Sequence, residues 1–138
     1  ALAAALERDF VIDLGSGDGR NVIAAAKRGA RALGVEWEAT LVQLSRRRAA
    51  AEGVAERASF VQGDMFEADI SKATVLALFL LPDNLARLKP KFERLRPGTR
   101  IVTNGYQIAG WEPVDVGVAG GDCAPWCMAY LYRVPKHD

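Results

Sequence analysis

The sequence predicts an α/β fold: a mostly parallel seven-stranded sheet with helices on both faces and an antiparallel strand hairpin at its C-terminal end. Three observations predict it. Apolar runs and helical periodicities alternate across residues 10–106, the pattern of a parallel sheet built through helical crossovers. Beyond Tyr106 the helical pattern stops, and two strand-like runs flank Gly120-Gly121-Asp122, which reads as a hairpin. The first strand also runs into a loop with glycine at every second position, Gly15-Ser16-Gly17-Asp18-Gly19. Glycine there lets the backbone turn tightly and approach another group closely.

The elements follow in order. Residues 2–7 read as the tail of a helix. Residues 10–14 are a short apolar run, as expected of a buried parallel strand. Val22, Ile23, Ala26 and Ala30 recur at helical spacing over residues 21–28. Residues 31–36 form a second strand that ends on an acid. A helix over 39–52 follows, with Leu41, Val42, Leu44 and Ser45 on its inner face and Gly53 closing it. Residues 58–62 are the third strand. The unbroken run 73–81 is the candidate central strand. Leu85, Leu88, Phe92 and Leu95 mark a helix over 85–94, with Pro90 inside it. A proline there is expected to end, kink or restart the helix. After the Pro97-Gly98 turn, residues 100–106 form the fifth strand, and 111–118 and 126–134 the closing pair.

A chain of 138 residues is read as one domain over 1–138, large enough to bury a core. Half of its residues are hydrophobic and 25% are charged, ordinary proportions for a globular protein. A net charge of +1 points to neither nucleic acid nor membrane. Arg46-Arg47-Arg48, the one dense basic run, is expected on a solvated helix face. No run is long enough to span a bilayer, and no secretory signal is visible; the expected compartment is the cytoplasm. The chain starts at Ala1 without methionine, which is compatible with a removed native N-terminal segment. Cys123 and Cys127, without a nearby histidine, make a poor zinc ligand set. No metal is expected, and the two cysteines are read as free thiols.

In an open parallel sheet, ligands bind beyond the carboxyl ends of the strands, where strand order reverses. The residues just after each strand therefore carry the functional reading. The first loop misses the Gly-x-Gly-x-x-Gly spacing of the dinucleotide fingerprint, and two carboxylates, Asp13 and Asp18, lie beside it. A diphosphate is repelled by that pair, whereas a ligand bearing an ammonium and a sulfonium is not; this points to S-adenosylmethionine. Asp13 then meets the α-ammonium, directly or through water. The N–H groups of Gly15, Ser16, Gly17, Asp18 and Gly19 are expected to serve the ligand carboxylate. Glu36, about twenty residues on, can accept from both ribose hydroxyls, as an acid does in dinucleotide folds. Trp37 either covers the ribose or adenine or packs under the following helix. Asp64 can accept from the adenine amine, Met65 can offer its backbone N–H to a ring nitrogen, and Phe66 either walls the adenine pocket or joins the core. Phe79 and the residues through Asn84 are expected beneath the sulfonium methyl.

With these residues assembled, the chain resembles the class I, seven-strand S-adenosylmethionine-dependent methyltransferases, which have a Rossmann-like fold. Asp13-Leu14-Gly15-Ser16-Gly17-Asp18-Gly19 is similar to the family's first motif, Gly34-Val35-Glu36 to its second and Gly63-Asp64-Met65 to its adenine motif. Arg96-Pro97-Gly98-Thr99-Arg100-Ile101-Val102 is similar to its turn and fifth strand. Within the superfamily the likeness is to small protein-lysine methyltransferases: the Dot1-like, archaeal and mitochondrial ATP-synthase enzymes and their bacterial relatives. The Asp/Asn-Pro-Pro-Tyr/Phe motif of amide and adenine N-methyltransferases is absent. Leu80-Leu81-Pro82-Asp83 stands where Dot1-like enzymes are asparagine-rich, and the segment ahead of the first strand is short.

The resemblance implies in-line methyl transfer from S-adenosylmethionine to a neutral amine of a protein lysine, leaving S-adenosylhomocysteine. A lysine has an intrinsic pKa of about 10.4, and an apolar channel favours its neutral form by desolvation. Leu80, Pro82 and Tyr106, with Phe79 and Trp111, are the candidate channel residues. Tyr106 is either a group that orients the amine or a plain strand-end aromatic, and no general base stands out. A small-molecule acceptor, a related aminopropyltransferase and a cofactor-binding module without activity are the competing readings.

Overall fold

The computed structural model describes residues 7–118 and 128–136. Most of the expected 2–7 helix tail, the Gly120-Gly121-Asp122 turn, Cys123, Cys127 and His137 lie outside the described residues. The elements run β1 (Phe10–Leu14), α1 (Arg20–Lys27), β2 (Arg31–Glu36), α2 (Ala39–Ala51), β3 (Ala58–Gln62), β4 (Val75–Leu78), α3 (Pro82–Glu93), β5 (Arg100–Asn104), β6 (Asp115–Val118) and β7 (Met128–Arg133). They form one seven-stranded sheet in the order β3-β2-β1-β4-β5-β7-β6. Strands β1 to β5 are mutually parallel, and β7 pairs antiparallel with both β5 and β6. The chain leaves β1 toward β2 on one side and returns to β4 on the other, so the switch point lies at the end of β1, where the glycine loop begins.

Side-chain alternation along the parallel strands builds two cores. Val11, Val75 and Ala77 point to one face and meet Val22, Ile23 and Ala26 of α1 and Val42 and Ala49 of α2. Ile12, Leu14, Leu76 and Leu78 point to the other and meet Leu85, Leu88 and Phe92 of α3. Helices therefore cover both faces, two on one and one on the other. Ile70 and Ile108, from the loops after β3 and β5, complete the α3 side.

Two lysines of α3 fasten those loops. Lys91 Nζ donates to the Phe66 carbonyl at 3.1 Å, and Lys89 Nζ donates to the Ala109 carbonyl at 2.6 Å. At the opposite end of the sheet, buried Asp9 accepts from Thr74 Oγ1 at 2.9 Å and from Arg100 at 2.7 Å. That cluster joins the N-terminal ends of β1, β4 and β5.

Several boundaries differ from the sequence reading. Strand β4 stops at Leu78 rather than Leu81 because Pro82 already opens α3, a favourable first helical position. Helix α3 runs through Pro90 to Glu93 instead of breaking. Leu85, Leu88 and Phe92 are anchored on both sides of it, and the carbonyl that Pro90 leaves unbonded belongs to Ala86, on the exposed side. Strand β5 ends at Asn104, where Gly105 takes a left-handed φ of 85°, so Tyr106 lies beyond the strand. Residues 111–114 are irregular, and β6 starts only at Asp115. Trp111 packs instead on Tyr132, with ring centroids 6.2 Å apart.

Candidate functional site

The carboxyl ends of β1, β2 and β3 open onto a cleft of about 380 Å³, lined by Gly15, Val35, Glu36, Trp37, Gly63, Asp64, Met65, Phe66 and Arg87. Gly15, Glu36, Trp37, Asp64 and Met65 are thus brought together from three strand ends, as expected. Phe66 joins them as a wall residue. Sequence reasoning missed Arg87: it belongs to α3, and no local pattern ties a helical arginine to the end of β3.

The glycine loop is shaped by tertiary contacts. Gly15, Gly17 and Gly19 have φ of 75°, 57° and 85°, a region that other residues enter only with strain. This curls the loop back over β2. The Gly15 and Ser16 N–H groups donate to the Val35 carbonyl at 2.8 and 3.1 Å, Gly19 N–H to the Ser16 carbonyl at 3.0 Å, and Gly17 N–H to Glu36 Oε1 at 2.8 Å. The sequence reading assigns these four N–H groups to a ligand carboxylate. They are already satisfied within the protein, and a ligand reaches them only by displacing those bonds. Close packing explains the glycines further. A Cβ on Gly19 would lie 2.8 Å from Ser45 Oγ and 2.9 Å from Phe60, and one on Gly34 would lie 2.5 Å from Ser16 Oγ.

The two acids beside the loop have different fates. Asp18 hydrogen-bonds Arg20, which holds its carboxyl down at about 2, and Arg48 of α2 lies 3.2 Å from the same oxygen. Its charge is answered within the protein by these two arginines. Arg48 also donates to the Asp18 carbonyl, and Arg46 donates to the Phe60 carbonyl at 2.7 Å. Of the arginine run expected in solvent, two members fasten α2 to its neighbours. Asp13 is only 3% exposed and has one long hydrogen bond, from Asn21 at 3.5 Å. Burial pushes its carboxyl up to about 8, with the nearby charges of Glu36 and Asp18 adding to the effect. Asp13 does not itself line the cleft.

Glu36 does. Its Oε1 accepts from Gly17 N–H and its Oε2 from Glu38 N–H at 2.9 Å. A carboxylate accepts at about four lone-pair positions, so two remain for a ligand. Asp64 Oδ1 accepts the Phe66 N–H at 2.8 Å, an Asx turn that leaves the second oxygen for a further donor. Trp37 is 71% exposed at the cleft, so it does not pack under α2.

The acceptor-side residues are dispersed. The chain after β4 alternates: Phe79 and Leu81 are exposed and Leu80 is buried. Leu80 sits beneath the loop, where a Cβ on Gly15 would come within 3.3 Å of it. Pro82 is exposed at the start of α3, and Tyr106 and Trp111 pack against the α3-side core. None of Phe79, Leu80, Pro82 or Tyr106 lines the cleft.

The lining suits S-adenosylmethionine better than a dinucleotide. Its side-chain acceptors are the carboxylates Glu36 and Asp64, matched to hydroxyl and amine donors, with Arg87 as the one cation among the described lining residues. Asp13, buried behind the glycine loop, has only a long hydrogen bond from Asn21 among the described residues.

Comparison with known proteins agrees. A family model described as the ANTKMT methyltransferase domain matches residues 13–115. A protein-lysine N-methyltransferase of Saccharolobus islandicus is 41% identical over 140 residues, covering 99% of this chain and 86% of the relative. The adenine nucleotide translocase lysine N-methyltransferase of Mus musculus is 34% identical over 114 residues, 81% of this chain. The chain spans only 50% of that mouse relative. Among solved structures, one described as an RNA methyltransferase from Salinibacter ruber in complex with S-adenosyl-L-homocysteine is 42% identical. It superposes with a TM-score of 0.89 over 99% of this chain and 88% of that one.

Proposed function

Because this chain belongs to the ANTKMT methyltransferase domain family, and S-adenosylmethionine is its cofactor, we propose that it methylates the ε-amine of a protein lysine. The observation that carries this reading is the 41% identity to a protein-lysine N-methyltransferase over nearly the whole chain, joined to a cleft whose acids suit the cofactor. The mouse relative, named for a lysine of another protein, points the same way.

The cofactor supplies an electrophilic methyl on its sulfonium. The protein's part is to bind and align the reactants. Glu36 takes the ribose hydroxyls on its two remaining lone pairs. Asp64 takes the adenine amine on its second oxygen, and Met65 N–H faces a ring nitrogen. Asp13 faces the ammonium of the amino-acid tail through the loop. Leu80, buried under Gly15, supports the glycine loop from below. Pro82 and Tyr106 lie outside the cleft, on the segments after β4 and β5 that would receive the acceptor; apolar surroundings there would favour the neutral amine.

An RNA acceptor is the second reading, favoured by the description of the Salinibacter protein. The segments after β4 and β5, residues 79–84 and 105–115, carry Asp83, Glu112 and Asp115 and no lysine or arginine. Phosphate recognition depends on cationic side chains, so this composition supports a cationic protein segment over RNA.

Transfer of labelled methyl onto protein and RNA fractions of a cell lysate tests the proposal. Label on protein, lost when lysines are blocked by acetylation, is expected. Label confined to RNA or to small molecules would overturn it. Asp64→Ala is expected to weaken S-adenosylhomocysteine binding in calorimetry; unchanged affinity would mean the adenine end is misplaced.

A further inference from the structure

We infer that Arg87 is a cofactor-binding residue, held on the Phe66 ring so that its guanidinium forms the outer wall of the adenine end of the cleft. The inference rests on the proposal that adenine lies beside Asp64 and Met65, and it adds a group from a different element, α3.

Arg87 lies on the solvent side of α3, where a long cationic side chain ordinarily samples many rotamers. Here it does not. Its guanidinium carbon is 3.7 Å from the centroid of the Phe66 ring, van der Waals contact with the face of the ring. The backbone that carries the ring is fixed from two directions, and the ring packs against the α3-side core. Asp64 Oδ1 accepts the Phe66 N–H at 2.8 Å, and Lys91, one turn along α3 from Arg87, donates to the Phe66 carbonyl at 3.1 Å. The order runs from a fastened backbone to a core-packed ring to a guanidinium resting on that ring. The contact favours this rotamer before any ligand arrives, and such preorganisation lowers the entropic cost of binding.

The position matters because Arg87 also lines the cleft, together with Asp64, Met65 and Glu36. A guanidinium lying on a ring directs its five N–H donors outward from its rim. The carboxylates of Glu36 and Asp64 only accept. Arg87 is the one cationic side chain among the described lining residues. A purine displays both an amine donor and ring-nitrogen acceptors. Asp64 answers the amine, and the rim of Arg87 answers a ring nitrogen. The pair reads the base from both sides of its hydrogen-bonding pattern. The positive charge also offsets the two carboxylates, so a neutral base is accommodated between them.

Calorimetric titration with S-adenosylhomocysteine, paired with thermal melts without ligand, tests this. Arg87→Ala is expected to weaken binding about tenfold, the scale of one hydrogen bond to a charged group. Its ligand-free melting temperature should stay within about 2 °C of the parent, because an exposed side chain contributes little to folding. Arg87→Lys keeps the charge but loses the flat rim, and should remain at least about threefold weaker than the parent. In a Phe66→Leu background, Arg87→Ala should change affinity by less than about twofold, because the platform is already gone. Three results would overturn the inference: unchanged affinity in Arg87→Ala, full recovery in Arg87→Lys, or the same loss with and without Phe66. A parent chain that fails to bind S-adenosylhomocysteine would instead overturn the cofactor assignment beneath it.

Discussion

Glu36, at the end of β2, holds Gly17 in the loop after β1: its Oε1 accepts the Gly17 N–H at 2.8 Å, while its Oε2 accepts Glu38 N–H at 2.9 Å. One carboxylate thus ties the glycine loop to the start of α2 and still faces the cleft. The residue proposed to bind the ribose also sets the loop that lies beneath the amino-acid tail.

That double duty predicts a double loss. Glu36→Ala removes two ribose acceptors and leaves two N–H groups without their partner. S-adenosylhomocysteine affinity should fall by more than about tenfold, at about 1.5–3 kcal/mol for each hydrogen bond to a charged group. The melting temperature should fall too. Calorimetry and thermal melts on one preparation check this; a variant that loses stability but keeps its affinity would remove Glu36 from the cofactor site.

Gly34 tests the packing under the loop. Its requirement is space, since a Cβ there would lie 2.5 Å from Ser16 Oγ, 2.7 Å from Ser16 Cβ and 2.8 Å from Phe60. Overpacking of this kind costs about 1–3 kcal/mol. Gly34→Ala is therefore expected to lower the denaturation midpoint and to weaken cofactor binding through displacement of Ser16. Gly53→Ala is a useful contrast, because a Cβ there meets nothing within 4 Å and the strain is confined to its φ of 75°. Gly53→Ala should lose stability and keep its affinity.

Asp13 predicts a pH dependence of the ligand-free protein. Its carboxyl is pushed up to about 8, chiefly by burial, so it stays protonated in the fold while the unfolded chain ionises near the ordinary value of 3.8. Between those values the folded state holds more protons, so stability falls as pH rises. The contribution is complete below about 4 and lost as pH passes through about 8. Asp13→Asn, which cannot ionise, should flatten the melting-temperature profile between pH 4 and 8 and melt above the parent near pH 8. It should also weaken binding of the cationic cofactor. A profile identical to the parent's would show that Asp13 does not titrate in this way.

Pro90 offers a stabilising change. It interrupts the backbone ladder of α3 on its exposed side, and proline in a helix interior is about 3 kcal/mol less favourable than alanine. The helix is already formed around it, and proline also restricts the unfolded chain. Pro90→Ala should therefore raise the unfolding free energy by about 1 kcal/mol or more in denaturant titration. A lower midpoint would mean that α3 depends on the proline for its shape.

Much of the fold was legible because each inner parallel strand is buried on both faces and so reads as an apolar run. β1 and β2 fall at the bounds that those runs predict; β3, an edge strand with only Ala58 and Phe60 buried, also falls at its predicted bounds. Glu36 and Asp64 were legible for the same reason: a carboxylate directly after such a run sits at the edge where ligands bind. The ends of β4 and β5 were not. Leu80 and its neighbours are as apolar as the strand before them, and only the start of α3 at Pro82 removes them from the sheet.

Sequence by itself determined the alternation of elements, the positions of the loop glycines and the acids at the strand ends, because burial and turn geometry leave local signatures. The tertiary structure alone decided the partners. Asp18 is paired with its near neighbour Arg20, but Arg48, 30 residues away, also reaches its carboxylate and its carbonyl. Arg87 is an ordinary helical arginine until α3 brings it onto Phe66. Pro90 looks like a break until its outward orientation makes it tolerable. In each case the outcome depends on which side chain the sheet topology places alongside another, and that information is carried by no local pattern.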